Sequence, residues 1–328
     1  MRKYVLVWCF LSVFISCSQW DESKIQGISL VSPPVPSKQS AFREIKENQQ
    51  HWVSIIPYAF LSKDHFKLRY DEKWQWWGET SLGVQTMIVQ AQEENLAIML
   101  KPHIWYETGW IGTFKPILEK DWADWEKSYT DYMLNYAELA QKNNVPLFCI
   151  GTELREVVKL RPEYWKGFIS KIKEVYKGEL VYAANWDDYD EVSFWEDLDY
   201  IGVNAYFPLS NQKTPSVNEL KQAWKPIKHR LQAFSQDQQR KIIFTEYGYE
   251  SCDYNALEPW GSKAKYKANP QAQYNAYCAF FETFKDIDWV AGGFLWKWHL
   301  STQTMREVDK AFTPQGKKTM QFLKVAKF

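Results

Sequence analysis

Three features are scarce or missing in this 328-residue chain: an excess of one charge, cysteine, and long apolar runs. Forty basic residues balance forty acidic ones, so there is no electrostatic reason to expect binding to nucleic acid or to an anionic membrane surface. The five cysteines form no C-x-x-C pair, and no histidine-rich spacing accompanies them. We therefore predict no metal site and no cofactor, and we expect Cys149, Cys252 and Cys278 to be buried thiols and not a disulfide framework.

The N-terminal apolar run, at residues 4–16, is too short to cross a bilayer, which takes about 20 residues. It follows two cations, closes on Cys17 and is succeeded by polar residues. This pattern resembles a bacterial lipoprotein signal, which implies that Cys17 is acylated and becomes the first residue of the mature protein. We expect a signal peptide over 1–16, a tether over 17–24 and one domain over 25–328. The protein would then be an exported monomer that contacts a bacterial membrane only through its lipid anchor.

Aromatic residues are the class present in excess, at 17% of the chain with 18 Trp and 19 Tyr. A core seldom needs so many indoles, because each buried Trp must also satisfy its N–H group. Flat rings are suitable platforms for the C–H faces of sugars. The composition therefore favours a carbohydrate ligand, although ordinary packing accounts for most of the rings.

Strand-like and helix-like segments alternate along the chain from residue 26 onwards. Eight strands are predicted, at residues 26–32, 51–60, 96–104, 146–151, 180–184, 200–205, 241–246 and 290–296. Helices are predicted between most of them, at residues 38–50, 81–95, 121–142, 162–176, 193–198, 216–234 and 270–286. Eight strands with intervening helices indicate an α/β fold, a single (β/α)₈ TIM barrel.

Two of the predicted strands lead directly into a glutamate. The run KIIFT at 241–245 precedes Glu246, and PLFCIGT at 146–152 precedes Glu153. A carboxylic acid in an apolar setting costs several kcal/mol unless it is paired or shifts its pKa. In a (β/α)₈ barrel the chemistry lies at the carboxyl ends of the strands, so both glutamates should face one mouth. Paired carboxylates are what glycoside hydrolysis requires, whereas two rim carboxylates in salt bridges are the structural alternative.

Five short motifs resemble the retaining glycosidases that place the acid/base after strand four and the nucleophile after strand seven, and among them glycoside hydrolase family 113. The motifs are KPH (101–103), GTEL (151–154), NAY (204–206), TEYG (245–248) and FLWKW (294–298). The resemblance implies that Glu246 is the nucleophile and that Glu153 is the general acid and then the base. It also implies that Tyr206 hydrogen-bonds Glu246. One departure is Thr152, where many of these enzymes carry an asparagine that binds the sugar 2-hydroxyl.

Other residues at the predicted mouth are candidates for substrate binding. Asn204 could bind a sugar hydroxyl or hold a loop, and His103 could bind a hydroxyl or be bonded only to protein. Trp296 is the best candidate for the floor under the reacting sugar, with Trp298 as the alternative. Trp186 follows the fifth strand and could line the cleft. The aspartates at 187–188 are interpreted as solvated loop charges.

The resemblance implies hydrolysis of β-1,4-mannosidic bonds in mannan or glucomannan by double displacement. Another retaining β-glycanase, acting on glucan or xylan with the same glutamates, is one alternative. A surface lipoprotein that binds glycan without cleaving it is a second, and a barrel that serves only as a scaffold is a third. A polysaccharide panel assayed for both binding and cleavage separates them.

Overall fold

The structure, a computed structural model, describes residues 24–261, 265–306 and 308–328. Its strands are β1 (Ile25–Val31), β2 (Trp52–Ile55), β3 (Tyr58–Leu61), β4 (Ala97–Leu100), β5 (His103–Tyr106), β6 (Leu147–Thr152), β7 (Glu179–Asn185), β8 (Tyr200–Asn204), β9 (Ile242–Tyr247) and β10 (Val290–His299). Its helices are α1 (Gln39–Glu47), α2 (Ser81–Glu93), α3 (Glu119–Lys142), α4 (Arg155–Leu160), α5 (Pro162–Val175), α6 (Val217–Asp237), α7 (Pro270–Phe284) and α8 (Lys318–Leu323). The predicted signal peptide, most of the predicted tether and Cys17 lie outside the described residues.

Eight of the strands close into a barrel in the order β1-β10-β9-β8-β7-β6-β4-β2. Every pair in it is parallel, and β1 completes the cylinder by pairing with both β10 and β2. The strands are apolar and buried, as expected of a parallel sheet covered by helices. The predicted single (β/α)₈ barrel is confirmed.

The second and third predicted strands were each drawn as one element, and this is wrong. Each divides at a proline, Pro57 or Pro102, which has no N–H group to donate to a continuous ladder. The segments before the prolines, β2 and β4, belong to the barrel. The segments after them, β3 and β5, pair with each other in a separate parallel two-stranded sheet. That small sheet stands at the carboxyl ends of its parent strands, at the mouth of the barrel.

Side chains fill the barrel axis and the layer between barrel and helices. The axial cluster is apolar and includes Met99, Leu147, Val181 and Phe294. Cys149, Cys252 and Cys278 are buried, as predicted. Helices α4 and α8 were not predicted, because each has only six residues and no clear periodicity. Across the described ranges, no helix combines the length and apolarity needed to span a bilayer.

Candidate active site

Glu153 and Glu246 open onto one cavity at the carboxyl ends of the barrel strands. Glu153 directly follows β6 and Glu246 lies near the end of β9, with only β7 and β8 between those strands. The cavity has a volume of about 530 Å³. It is lined by Trp110, Glu153, Arg155, Asn185, Trp186, Asp187, Tyr206, Glu246, Trp260, Trp296 and Phe312. The two carboxyl groups predicted to share a mouth are therefore brought together by the fold.

Glu246 is only 5% exposed, and each of its carboxylate oxygens has a partner. The Nζ atom of the wholly buried Lys101 lies 2.5 Å from Oε1, and the hydroxyl of Tyr206 donates to Oε2 at 2.7 Å. The Tyr206 contact is the one that the family resemblance implied. Burial and the Glu246 charge raise the pKa of Tyr206 well above its usual value, so its hydroxyl keeps the proton that it donates. The ion pair and hydrogen bond hold the carboxylate in one orientation, at a place where an unpaired charge would cost several kcal/mol.

Glu153 has a contrasting environment. Its backbone adopts the left-handed region, with φ 52°, which a non-glycine residue occupies only when its surroundings hold it there. Its N–H donates to the carbonyl of Ala183 at 2.8 Å, and the next N–H, of Leu154, donates to the Tyr182 hydroxyl at 2.8 Å. Burial and the nearby charge of Glu246 raise the pKa of Glu153 to about 7. A carboxyl group with that pKa can both hold and release a proton near neutral pH.

Asn204 connects the neighbourhoods of the two glutamates. It is paired in register with Glu246 across β8 and β9 and has no exposed surface. Its Nδ2 donates to Glu153 Oε1 at 2.8 Å, and its Oδ1 accepts from Thr245 Oγ1 at 2.8 Å. Both ends of the amide are therefore occupied by protein groups. Asn204 therefore orients Glu153, and its predicted contact with a sugar hydroxyl stays a prediction.

His103 and Trp296 form the wall of the site beside Glu246. Their rings are parallel to within 7°, with centroids 6.3 Å apart, and His103 Nε2 lies 3.8 Å from Glu246 Oε1. Burial and the charge of Lys101 lower the pKa of His103 well below its usual value, so the ring is neutral and this contact is not an ion pair. Among the described residues, its buried Nε2 has no hydrogen-bond partner. The predicted role for His103, binding a sugar hydroxyl, stays a prediction.

The two tryptophans proposed as alternatives for the floor of the site have different surroundings. Trp296 lines the cavity with both glutamates, and the peptide bond that follows it is cis. Trp298 is 1% exposed and belongs to the hydrophobic core. Trp298 therefore has no surface to offer a sugar, which corrects the expectation that it could replace Trp296.

Three loops meet around Glu153 through contacts that the sequence analysis missed. Trp110 donates its indole N–H to Glu153 Oε2, and the guanidinium of Arg155 lies over the Trp110 ring at 4.7 Å. Arg155 in turn pairs with Asp187, and with Asp188 at 2.7 Å. Asp188 is buried, so its interpretation as a solvated loop charge is wrong, whereas the side chain of Asp187 is 37% exposed, as that interpretation expects. The sequence did contain one indication of these contacts. Arg155 lies only two residues after Glu153, and a cation that close to a catalytic candidate is a candidate for the same site.

Trp186 and Trp260 also line the cavity. Their rings stack with centroids 5.2 Å apart and an angle of 19° between them. Trp186 was predicted to line the cleft, and it does so. Trp260 comes from the long segment between β9 and α7, which has no periodic pattern, and its position was not predicted.

Lys101 is the most important residue to which the sequence analysis gave no role. It appeared only within the KPH motif, although it follows the apolar strand Ala97–Leu100 directly. A lysine that ends a buried strand needs a buried negative partner for the same reason as a glutamate does. Lys101 therefore carried the same signal in the sequence as Glu153 and Glu246 did.

Comparison with known families gives a match that covers most of the chain. The model of Glycoside Hydrolase Family 113 matches residues 35–317. This chain belongs to glycoside hydrolase family 113. It is a glycoside hydrolase, and a carbohydrate is its expected class of substrate.

Solved structures with the same barrel include other members of family 113. A family 113 β-1,4-mannanase superposes with a TM-score of 0.79 at 21% identity, covering 92% of this chain and 98% of that one. The family 113 β-mannanase AaManA from Alicyclobacillus acidocaldarius, in complex with ManMIm, has a TM-score of 0.79 at 22% identity, covering 92% and 96%. A β-glucuronidase from Ruminococcus gnavus is more distant, with a TM-score of 0.60 at 13% identity over 92% of this chain and 49% of that one. No curated protein matches this chain by sequence. At these identities the structural similarity establishes the fold.

Proposed function

We propose that this family 113 protein is a retaining β-mannanase that cleaves β-1,4-mannosidic bonds in mannan or glucomannan. Glu246 is the nucleophile, and Glu153 is the general acid and then the general base. The observation that carries the proposal is the contrast between two carboxyl groups on one cavity. Glu246 is paired with Lys101 and Tyr206, while the pKa of Glu153 is raised to about 7.

In the first step, a Glu246 oxygen attacks the anomeric carbon of the sugar on its side of the scissile bond. The bond from that carbon to the bridging oxygen breaks, and Glu153 gives its proton to the departing oxygen. The product is a glycosyl ester on Glu246 and a free leaving-group sugar. Asn204 and Trp110, which both donate to Glu153, favour the carboxylate that this proton transfer leaves behind.

In the second step, water attacks the same carbon and the ester bond breaks. Esterification has removed the negative charge of Glu246, which is one of the two causes that raise the pKa of Glu153. The pKa of Glu153 therefore falls, and its carboxylate accepts the proton of the incoming water. The two displacements together return the sugar with its original anomeric configuration.

The proposed substrate rests on the family and on the character of the cavity. Three solved structures of family 113 β-mannanases have the same fold. The cavity wall presents the indole rings of Trp110, Trp186, Trp260 and Trp296. Its two charges outside the catalytic pair, Arg155 and Asp187, neutralise each other. A neutral polysaccharide fits such a lining better than a charged one.

Incubation with linear β-1,4-mannan, β-1,4-glucan and xylan tests the substrate and the stereochemistry together. We expect the mannan to be shortened most rapidly, as measured by product sizing. Early NMR spectra should show the β-anomer of the new reducing end before mutarotation. Faster cleavage of glucan or xylan would contradict the substrate assignment, and an α-anomer formed first would contradict the double displacement.

Substitutions of the two glutamates test their separate roles. We expect Glu246→Gln to abolish turnover. Glu153→Ala should slow hydrolysis of mannan by about 10²–10⁴-fold, because it removes a general acid. Glu153→Ala should retain activity on aryl glycosides with good leaving groups and should form a β-glycosyl azide when azide is added. Glu163→Gln on α5, whose carboxylate is highly exposed, is the matched control and should behave as the unmodified enzyme. Near-normal turnover by Glu246→Gln would exclude it as the nucleophile.

We also propose that the protein is exported and held on a bacterial membrane by lipid on Cys17. The support is the sequence pattern around residues 1–17. The described chain enters the barrel at the amino end of β1, the pole opposite the catalytic cavity. Metabolic labelling with a radioactive fatty acid should mark the protein, and Cys17→Ala should remove both the label and the membrane association.

A further inference from the structure

The two-stranded sheet of β3 and β5 presents a row of aromatic rings on one face. Tyr58 pairs in register with His103, and Phe60 pairs with Trp105. Residues two apart on a strand share a face, so these four rings lie on the same side of the sheet. Ala59, between the two β3 rings, faces the opposite way and is buried in the core. The ring-bearing face is therefore the one turned away from the interior.

One end of this face lies at the catalytic centre. His103 Nε2 is 3.8 Å from Glu246, and the Tyr58 ring meets the His103 ring edge-on with centroids 5.3 Å apart. A second cavity of about 380 Å³ is lined by Tyr58, Trp76 and Trp296 among others, and Trp296 also lines the catalytic cavity. Trp296 is thus shared by the two cavities, and Tyr58 of the small sheet lines the second one.

The other end of the face is open to solvent. Trp105 and Trp74 are each 50% exposed, and Trp76 is 44% exposed. The Phe60 ring lies between two of them, with centroids 4.6 Å from Trp74 and 5.7 Å from Trp105. Single exposed aromatic rings are ordinary, but several exposed rings in mutual contact indicate a binding surface.

The loop that carries Trp74 and Trp76 is held onto β3 by hydrogen bonds. Phe60 and Arg69 exchange backbone hydrogen bonds of 2.8 and 3.0 Å. Gln75 donates from its side chain to the carbonyl of Tyr58 at 2.8 Å. The indoles on this loop are therefore arranged before any ligand arrives, which lowers the entropy cost of binding.

The positions of the two glutamates define which part of a substrate this surface would meet. Glu246 attacks the sugar that stays on the enzyme, and Glu153 protonates the sugar that leaves. Trp110 donates to Glu153 and therefore lies on the leaving-group side. His103 and Trp296 adjoin Glu246 and lie on the side of the retained sugar. The small sheet continues from that second side.

We infer that Tyr58, Phe60, Trp74, Trp76 and Trp105 form an aromatic track that binds further sugar units of the substrate chain, on the non-reducing side of the bond that is cut. The inference rests on the proposed function for its choice of substrate and of side. The occupant is a neutral polysaccharide, because the track continues a glycosidase site and offers ring faces for stacking. The enzyme would then favour long chains over short ones.

Aryl β-manno-oligosaccharides of one to four mannose units test the track, because the aryl leaving group lies on the Glu153 side. Each added mannose then extends towards the track. We expect kcat/KM of the unmodified enzyme to rise with length. Trp105→Ala and Trp74→Ala should each lower kcat/KM for the longest donors about tenfold, the effect of losing part of an indole's contact area. The shortest donor should be unaffected, and Trp105→Phe should restore part of the loss.

Val325→Ala, at a 77% exposed apolar residue near the C-terminus, is the matched control and should change nothing. Thermal unfolding of each variant verifies that it is folded. An equal effect of Trp105→Ala on short and long donors, or no effect on either, would overturn the track.

Binding separates failure of the track from failure of the proposed function. Glu153→Gln protein, with and without Trp105→Ala, is titrated calorimetrically with manno- and cello-oligosaccharides of two to six units. If no mannoside donor is cleaved, the proposed function fails. The track is still supported if Trp105→Ala weakens binding only of the longer oligosaccharides in either series. Affinity that does not depend on length, or on Trp105, overturns the track whichever donors are cleaved.

Discussion

At the scale of single residues, the site depends on the surroundings of two carboxyl groups. Lys101 has no exposed surface, and its ammonium lies 2.5 Å from Glu246. Either charge alone would destabilise the fold at that place, because burial removes its hydration and only the ion pair compensates for that loss. Tyr206 adds a hydrogen bond and so limits the rotation of the carboxylate.

The Lys101–Glu246 pair leads to a prediction about both stability and activity. Lys101→Met leaves a buried carboxylate without its countercharge, so we expect the free energy of unfolding at pH 7 to fall by about 3–5 kcal/mol. Turnover should fall at least a hundredfold, since that carboxylate loses the ion pair that orients it for attack. Denaturant unfolding and aryl-glycoside kinetics measure the two effects. Lys127→Met removes an exposed ion pair with Asp131 and should alter neither quantity.

The ionisation of Glu153 predicts how stability changes with pH. Its pKa in the folded protein is about 7, against a usual 4.5, so folding favours the protonated form. This favourable contribution is complete below pH 4.5 and is lost as pH rises through 7. We expect Glu153→Gln, which cannot ionise, to be more stable than the unmodified protein at pH 8. The gain should be below about 3 kcal/mol, because the side chain is partly open to the cavity, and it should vanish near pH 4. If Glu153→Gln were equally stabilising at pH 8 and pH 4, the ionisation of Glu153 would not be the cause.

The same ionisation sets the alkaline side of the activity profile. The first displacement needs Glu153 protonated, so kcat/KM should fall tenfold per pH unit above about pH 7. An aryl glycoside whose leaving group needs no proton should lose this dependence. Stopped assays with the two kinds of leaving group measure it, and identical profiles for both would remove Glu153 from the role of acid.

At the scale of the elements, the barrel closes where β1 meets β10. Gly292 of β10 has φ +122°, a conformation that other residues rarely adopt, and a Cβ atom there would come within 2.1 Å of the Ile25 carbonyl oxygen. No side chain can move aside, because the obstacle is backbone. The seam therefore requires glycine at this position.

This seam gives a prediction with an internal control. Gly292→Ala should lower the free energy of unfolding by more than about 2 kcal/mol. Gly167→Ala, within α5, meets nothing within 4 Å and should instead stabilise the protein by about 0.5–1 kcal/mol. Thermal or denaturant unfolding of the two variants in parallel measures both effects. If the two substitutions changed the free energy of unfolding equally, the contact between β1 and β10 would not require glycine at position 292.

The two prolines that divide the strands show how much of an element can be predicted from local sequence. Pro57 and Pro102 were visible in the sequence, and so was the extended character of the residues on either side. Whether a strand bends or changes its partner at a proline depends on which neighbour can accept its backbone groups. That neighbour, β3 for β5, is more than forty residues away along the chain. The small sheet, and with it the aromatic track, could not be predicted from local periodicity.

At the scale of the whole molecule, charge is balanced, with 40 basic and 40 acidic residues. A neutral protein that acts on a neutral polysaccharide gains nothing from long-range attraction. We therefore expect kcat/KM on mannan to change by less than about twofold between low salt and 0.2 M salt. Initial rates over a series of salt concentrations measure this. A steep decrease with salt would indicate a charged substrate, or charged substituents on the mannan.

The pattern of residues along the chain is enough to predict the barrel and the two glutamates at one mouth. Both follow from periodicity, because parallel strands joined by helices must all end at the same pole. The tertiary structure alone decided the partners of those glutamates. The contact between Lys101 and Glu246 joins residues 145 apart, and that between Trp110 and Glu153 joins residues 43 apart. Such contacts depend on strand register and loop geometry around the closed cylinder, and no local pattern of residues contains that information.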